Sequence, residues 1–212
     1  VTSPIDPQLI VRDPKAMLQR LRREWSARQE LWVFGYASLI WRPEFDVEEH
    51  RPARVMGWHR SFRMRSRVNR GTPDQPGLVF ALLPGGSCQG VAFRLPRAGA
   101  DEVLERLWDR EMPTGVYDPR WLPCRTRQGT VSALAFTLSR RSENCLGRIG
   151  DAEMLHILRH ARGRYGTTLQ YLVDTARALQ AHGLRDREIE RLVTLARRHG
   201  LHDDTAAAPP TA

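Results

Sequence analysis

The sequence predicts an α+β fold, a mixed, largely antiparallel small β-barrel or sheet with helices around it. Three observations carry this. Short apolar runs with strand character gather between Leu31 and Leu138. Helical periodicity gathers at the two ends of the chain and once in the middle. The two patterns do not alternate as strand–helix–strand units, as a doubly wound parallel sheet would require. With 212 residues, 41% of them hydrophobic, the chain is long enough for one sizeable core, and it shows no internal repeat or linker.

Residues 1–12 read as an arm with little structure. Asp13-Pro14 is an N-cap followed by proline at the first helical position. It opens a helix to about Arg28 that carries Met17, Leu18, Leu21 and Trp25 on one face. Residues 1–30 are therefore an N-terminal arm and helix, and the domain proper is expected over 31–202. Leu31 to Tyr36 is a buried strand that breaks at Ala37-Ser38. Residues 53–66 form a strand with outward arginines, and 70–74 a loop. Gly77 to Leu83 and Cys88 to Leu95 read as two strands joined by a Pro84-Gly85-Gly86 hairpin turn. Ala98 to Met112 is a helix stopped by Pro113. Trp121 to Arg127 and Val131 to Leu138 make a second hairpin around Gln128-Gly129. Three helices follow: Asp151 to Arg162, Leu169 to Ala181 closed by Gly183, and Asp186 to Arg198 closed by Gly200. The polar, Ala/Pro-rich stretch 203–212 is expected to be a disordered tail.

Thirty-three basic residues against 24 acidic ones give a formal charge of +9, and every basic residue except Lys15 is arginine. Such charge suits nucleic acid, a membrane surface or an acidic substrate, and is equally what GC-rich codon usage produces. No apolar stretch approaches the ~20 residues of a membrane span, and Val1 to Pro7 holds no apolar signal core. Cys88, Cys124 and Cys145 are widely spaced and offer no disulfide framework, so a reducing cytoplasm is the expected setting.

Several constellations can carry chemistry. On the helix before Pro113 the apolar stripe Leu104, Leu107, Trp108 continues to Glu111. A carboxylate there lies on the buried face and in the last turn, where the helix dipole disfavours it. Both effects raise its pKa toward the range of a general base. The alternative is a side chain that reaches solvent past the helix end. Gly35-Tyr36-Ala37-Ser38-Leu39-Ile40 ends an apolar strand in small residues, and consecutive N–H groups at such a bend can cradle an anion. The alternative is a tight strand exit packed in the core. The segment 51–73 carries Arg51, Arg54, Arg60, Arg63, Arg65, Arg67 and Arg70 with Trp58, His59 and Phe62 interleaved. That mixture can bind RNA. The alternation at 63, 65 and 67 reads better as a solvated strand face. His156 and His160 have metal-ligand spacing but no third partner nearby, so no metal site is expected. Nothing marks Cys124 as an activated nucleophile.

Trp32-Val33-Phe34-Gly35-Tyr36-Ala37-Ser38-Leu39-Ile40-Trp41 closely resembles the glycine-rich signature of the ChaC family, the glutathione-specific γ-glutamylcyclotransferases. The likeness continues in order through Val55-Met56-Gly57-Trp58-His59-Arg60-Ser61-Phe62, Arg70-Gly71-Thr72, Pro76-Gly77-Leu78-Val79 and Trp108-Asp109-Arg110-Glu111-Met112. It runs on through Gly115-Val116-Tyr117, Tyr165-Gly166, Tyr171-Leu172 and Gly183-Leu184-Arg185-Asp186. It spans roughly residues 31–198. The family usually has glycine at position 37, histidine at 69 and glycine at 116; this chain has Ala37, Asn69 and Val116. If position 37 needed a positive φ, alanine would cost about 1 kcal/mol.

The resemblance implies a γ-glutamylcyclotransferase-like fold over 31–202 and cleavage of glutathione into 5-oxoproline and cysteinylglycine without a cofactor. It implies Glu111 as the catalytic acid/base. It places Gly35, Tyr36, Ala37, Ser38, Leu39 and Ile40 around the glutamyl group, with Tyr117 a further pocket wall and donor. The expected partner is the small molecule alone, with no nucleic acid and no membrane, and a monomer is favoured. Two rival readings stand beside this. A broader γ-glutamylcyclotransferase would share loop and glutamate but accept other γ-glutamyl compounds. A basic module binding RNA or an acidic partner would not need Glu111, and its binding would weaken steeply with salt.

Overall fold

The structure is a computed structural model that describes residues 12–25 and 30–202. Residues 1–11 of the predicted arm, the end of the first helix at 26–28 and the tail from 203 lie outside the described residues. The elements are α1 (Pro14–Trp25), β1 (Trp32–Gly35), α2 (Ser38–Trp41), β2 (Glu49–Ser66), β3 (Gly77–Arg94), α3 (Ala100–Glu111), β4 (Asp118–Thr126), β5 (Gly129–Thr137), α4 (Asp151–His160), β6 (Arg162–Gly163), β7 (Gly166–Thr167), α5 (Thr168–Ala181) and α6 (Arg187–Arg198).

Five strands close into a barrel in the order β1-β3-β2-β4-β5. Neighbours pair antiparallel except at the seam. There β5 meets β1 (Val33 opposite Leu134) and β3 (Leu82 opposite Thr137) in parallel. The α+β class and the mixed, largely antiparallel barrel follow the sequence pattern.

The hairpin expected at Pro84-Gly85-Gly86 is absent. Gly77 to Arg94 runs as one 18-residue strand along the equally long β2. Met56 pairs Ser87 and Trp58 pairs Pro84, so Gly57 faces the two residues Gly85 and Gly86. That is a β-bulge, and all three glycines take positive φ. The glycine pair bends the ribbon where it was expected to reverse the chain. A second bulge lies between Ser61 and Met64. The Phe62 N–H there donates to Glu188 Oε1 at 3.0 Å, so α6 satisfies the backbone that the bulge leaves unpaired.

The core divides into two hydrophobic clusters. One joins Phe34, Phe62, Phe80 and Leu82 to Leu172, Leu179 and Leu192 of α5 and α6. The other joins Val33, Leu134 and Phe136 to Leu104, Leu107 and Trp108 of α3 and Leu18 and Leu21 of α1. Thus α1 covers α3, helped by Arg22 on Asp101 at 2.8 Å and by Trp108 Nε1 donating to the Pro14 carbonyl at 3.0 Å. Where β1 passes into α2 the two clusters meet, with Tyr36, Ala37 and Ile40 in the first and Leu39 in the second.

Candidate functional site

Gly35 is the last residue of β1, opposite Val91. A Cβ there would stand 2.8 Å from Phe93 Cε2, so no other residue fits without displacing that ring. The chain then turns into the four-residue α2, whose first turn leaves the Ser38 and Leu39 N–H groups without an intrahelical acceptor. Ala37 has φ −149°, outside the left-handed region. Alanine therefore carries no positive-φ strain, and its N–H is retained. The sequence read this stretch as a strand break and an anion-cradling bend but not as a helix, because four residues cannot display a helical period.

A pocket opens at this turn, lined by Tyr36, Ala37, Ser38, Leu39, Phe80, Glu111, Tyr117, Phe136 and Tyr171. Of the eight residues singled out from the sequence, it gathers Tyr36, Ala37, Ser38, Leu39, Glu111 and Tyr117. Gly35 and Ile40 lie off its wall. Gly35 has no side chain and sits inside the β1–β3 ladder, whereas Ile40 is 7% exposed and packs into the first core cluster. Phe80, Phe136 and Tyr171 were not foreseen. Tyr171 had a signal of the same kind as Glu111, a polar tip on the buried stripe Thr168, Leu172, Thr175, Leu179 of α5.

Glu111 is the last residue of α3. Its side chain is 16% exposed and its Oε1 lies 3.1 Å from Arg110 Nε. Burial raises its pKa above the usual carboxylate value; the Arg110 guanidinium opposes the shift and Glu44 adds to it. The Tyr36 hydroxyl donates to the Phe136 carbonyl at 2.9 Å, which commits its proton to the barrel wall. The Tyr171 hydroxyl accepts from the Phe80 N–H at 3.3 Å. Burial pushes the Tyr36 and Tyr117 hydroxyls well above their ordinary values and Tyr171 upward as well, so all three stay neutral. Arg12 holds the loop before β4 by donating to the carbonyls of Tyr117 (2.8 Å) and Val116 (3.2 Å).

Two arginines expected on a solvated strand face and loop are buried. Arg60, 4% exposed, donates through Nε to the Tyr36 carbonyl and through Nη2 to the Gln89 carbonyl, both at 2.5 Å, and through Nη1 to Asp186 at 2.6 Å. Asp186 in turn caps α6 by accepting from the Glu188 and Ile189 amides. Arg70, 5% exposed, stands 5.2 Å over the Tyr171 ring and 5.8 Å over Trp41. Its Nη1 reaches the Thr167 carbonyl at 3.4 Å.

The other constellations gain no chemistry. Burial pushes the Cys124 thiol up to about 12, far from a reactive thiolate. His156 and His160 stand 4.8 Å apart. Among the described residues no group of three or more His, Cys, Asp or Glu gathers as metal ligands, and no helix is long and apolar enough to cross a membrane.

The family model described as ChaC-like protein matches residues 31–199. The chain belongs to the ChaC family. A glutathione-specific γ-glutamylcyclotransferase of Escherichia coli K12 is 37% identical over 157 residues, 74% of this chain and 68% of that one. The Schizosaccharomyces pombe protein of the same name is 32% identical over 182 residues, covering 73% and 85%. Among solved structures, a yeast γ-glutamyl cyclotransferase specific to glutathione superposes with a TM-score of 0.72 at 20% identity, over 81% of this ChaC-family chain and 97% of that one. At that identity the likeness speaks for the fold, and it is the fold described above.

Proposed function

We propose that this ChaC-family chain is a glutathione-specific γ-glutamylcyclotransferase. The observation that carries the reading is the Glu111 carboxylate on the wall of a pocket shared with three tyrosines and two phenylalanines, facing the turn whose amides are free to receive an anion. The Escherichia coli and Schizosaccharomyces pombe relatives, matched over 74% and 73% of this chain, bear that name.

The chemistry follows from these groups. The α-carboxylate of the glutamyl moiety docks on the Ala37–Leu39 amides and the Ser38 hydroxyl, with the α-amine beside Glu111. The deprotonated amine attacks the γ-carbonyl carbon and forms the lactam N–C bond. The amide bond to cysteine breaks, and Glu111 returns the proton to the departing amine. No water is consumed and no cofactor is called for. Both reacting groups belong to one substrate, so the site acts mainly by holding them in line, and acid–base help adds about 10²–10⁴-fold. With Tyr36 committed to Phe136, the Tyr117 and Tyr171 hydroxyls are the donors available to the carbonyl oxygen. Because burial raises the pKa of Glu111, the rate should climb with pH across an acid limb above the ordinary carboxylate range.

In this reading the catalytic domain is 31–202. It works as a cytoplasmic monomer on the small molecule, without nucleic acid or membrane, and the +9 charge serves only to steer an anionic substrate. The test is to incubate the purified protein with glutathione and with γ-glutamylalanine. Equal amounts of 5-oxoproline and cysteinylglycine from glutathione, and little from the dipeptide, are expected. Comparable turnover of both points to the broader enzyme.

A further inference from the structure

Arg110 was not singled out from the sequence, yet its guanidinium ties together the elements around the pocket. Nε lies 3.1 Å from Glu111 Oε1. Nη2 lies 3.4 Å from Ser38 Oγ. Nη1 donates to the Arg42 carbonyl at 2.6 Å, the Pro43 carbonyl at 3.2 Å and Glu44 Oε2 at 3.0 Å. One planar group thus joins the last turn of α3, the first turn of α2 and the segment that follows α2. Consecutive helix residues do not face each other. The Nε contact to Glu111 and the Nη1 contacts to 42–44 come from different nitrogens of one guanidinium, which the two carboxylates therefore share. Glu44 stands out in that segment. Among the described residues it alone, glycines aside, has a positive φ, 58°. Its carboxylate is held at both oxygens, by Arg110 and by Arg42 Nε at 2.6 Å.

We infer that Arg110 is a positioning residue of the site, and that Glu44 governs it by competing with Glu111 for one guanidinium. The inference rests on Glu111 being the base. When Glu44 draws the guanidinium away, Glu111 is freer to take a proton from the substrate amine. When Glu44 yields, Glu111 is held as a carboxylate. Five groups face Glu111: Arg110 on its own helix, Glu44 on the segment after α2, Tyr36 at the exit of β1, Tyr117 before β4 and Tyr171 on α5. The three hydroxyls are neutral, so beyond the larger effect of burial, Arg110 and Glu44 are the two charges that bias its proton. They act in opposite directions.

The test compares wild type with Glu44→Gln, Arg110→Met and Arg110→Lys by two readouts. The first is the pH profile of kcat/KM for 5-oxoproline release. The second is a ¹³C NMR titration of the Glu111 carboxyl, assigned by its loss in Glu111→Gln. Glu44→Gln keeps the side-chain shape and removes the competing charge, so both midpoints should fall. Arg110→Met should raise both midpoints and lower kcat near neutrality roughly tenfold or more, as misplaced groups do. Arg110→Lys keeps the charge but not the fork; its midpoints should stay near wild type while kcat falls. Glu44 is 43% exposed, so its variant keeps the test alive if Arg110→Met fails to fold. A Glu111 midpoint unmoved in both Glu44→Gln and Arg110→Met would overturn the inference. Midpoints that move as stated in a protein that releases no 5-oxoproline would support it while sinking the functional reading.

Discussion

Arg60 and Arg110 both bond to the turn between β1 and α2, and they differ in what they leave open. Arg60 reaches it through the cluster that packs α5 and α6. Its side chain is 1% exposed and each nitrogen has a fixed partner: the Tyr36 carbonyl, the Gln89 carbonyl and Asp186. Arg110 reaches it from the cluster that packs α3. Its side chain is 21% exposed and divided between two carboxylates, one of them on the pocket wall. A buried charge with every partner fixed supports structure. A charge shared between competing partners beside a pocket can change partner during a reaction.

The largest effect expected on that contrast is in stability. Arg60→Met leaves Asp186 partly buried without its cation and the Tyr36 carbonyl without a donor. It should lose about 3–5 kcal/mol, the scale for removing one partner of a buried pair, read as a lower urea midpoint. A variant as stable as wild type would break the contrast, since Arg60 would then be no more structural than Arg110. A smaller effect is expected from Tyr36→Phe. The buried Phe136 carbonyl loses its donor, and the urea midpoint should fall by about 1–3 kcal/mol.

The smallest effect sharpens the contrast on the Arg110 side. Burial raises the pKa of Glu111 in the folded protein above its unfolded value. The folded state then binds more protons, so Glu111 costs stability as pH rises from the unfolded pKa through the folded one. Glu111→Gln should therefore be at least as stable as wild type at neutral pH, with the difference closing below that window. Thermal melts at acidic and neutral pH read it. A variant that gains stability toward acid would contradict the sign.

Much of this architecture was legible in the sequence, and the failures have physical causes. The apolar runs at 31–36 and 131–138 and the stripes on α3, α5 and α6 carry their period through enough residues to be read. Pro84-Gly85-Gly86 misled because positive-φ glycines serve a bulge as well as a turn. Only the facing Gly57, about 28 residues earlier in the chain, decides between them. Glu111 was legible because a carboxylate interrupts an apolar stripe. Arg110 was not, because one arginine among many carries no local mark, and its partners come from segments some 70 residues away. Arg60 and Arg70 looked solvated for the same reason. Tyr171 was within reach of the stripe argument that found Glu111.

The central claim is that the Glu111 carboxylate moves the proton in glutathione cleavage. The most direct measurement is 5-oxoproline release from glutathione by wild type and Glu111→Gln at equal concentration, with matched circular dichroism to show that both are folded. The account predicts release by wild type and a loss of at least about 100-fold in the variant. Near-wild-type release by a folded Glu111→Gln protein would contradict it.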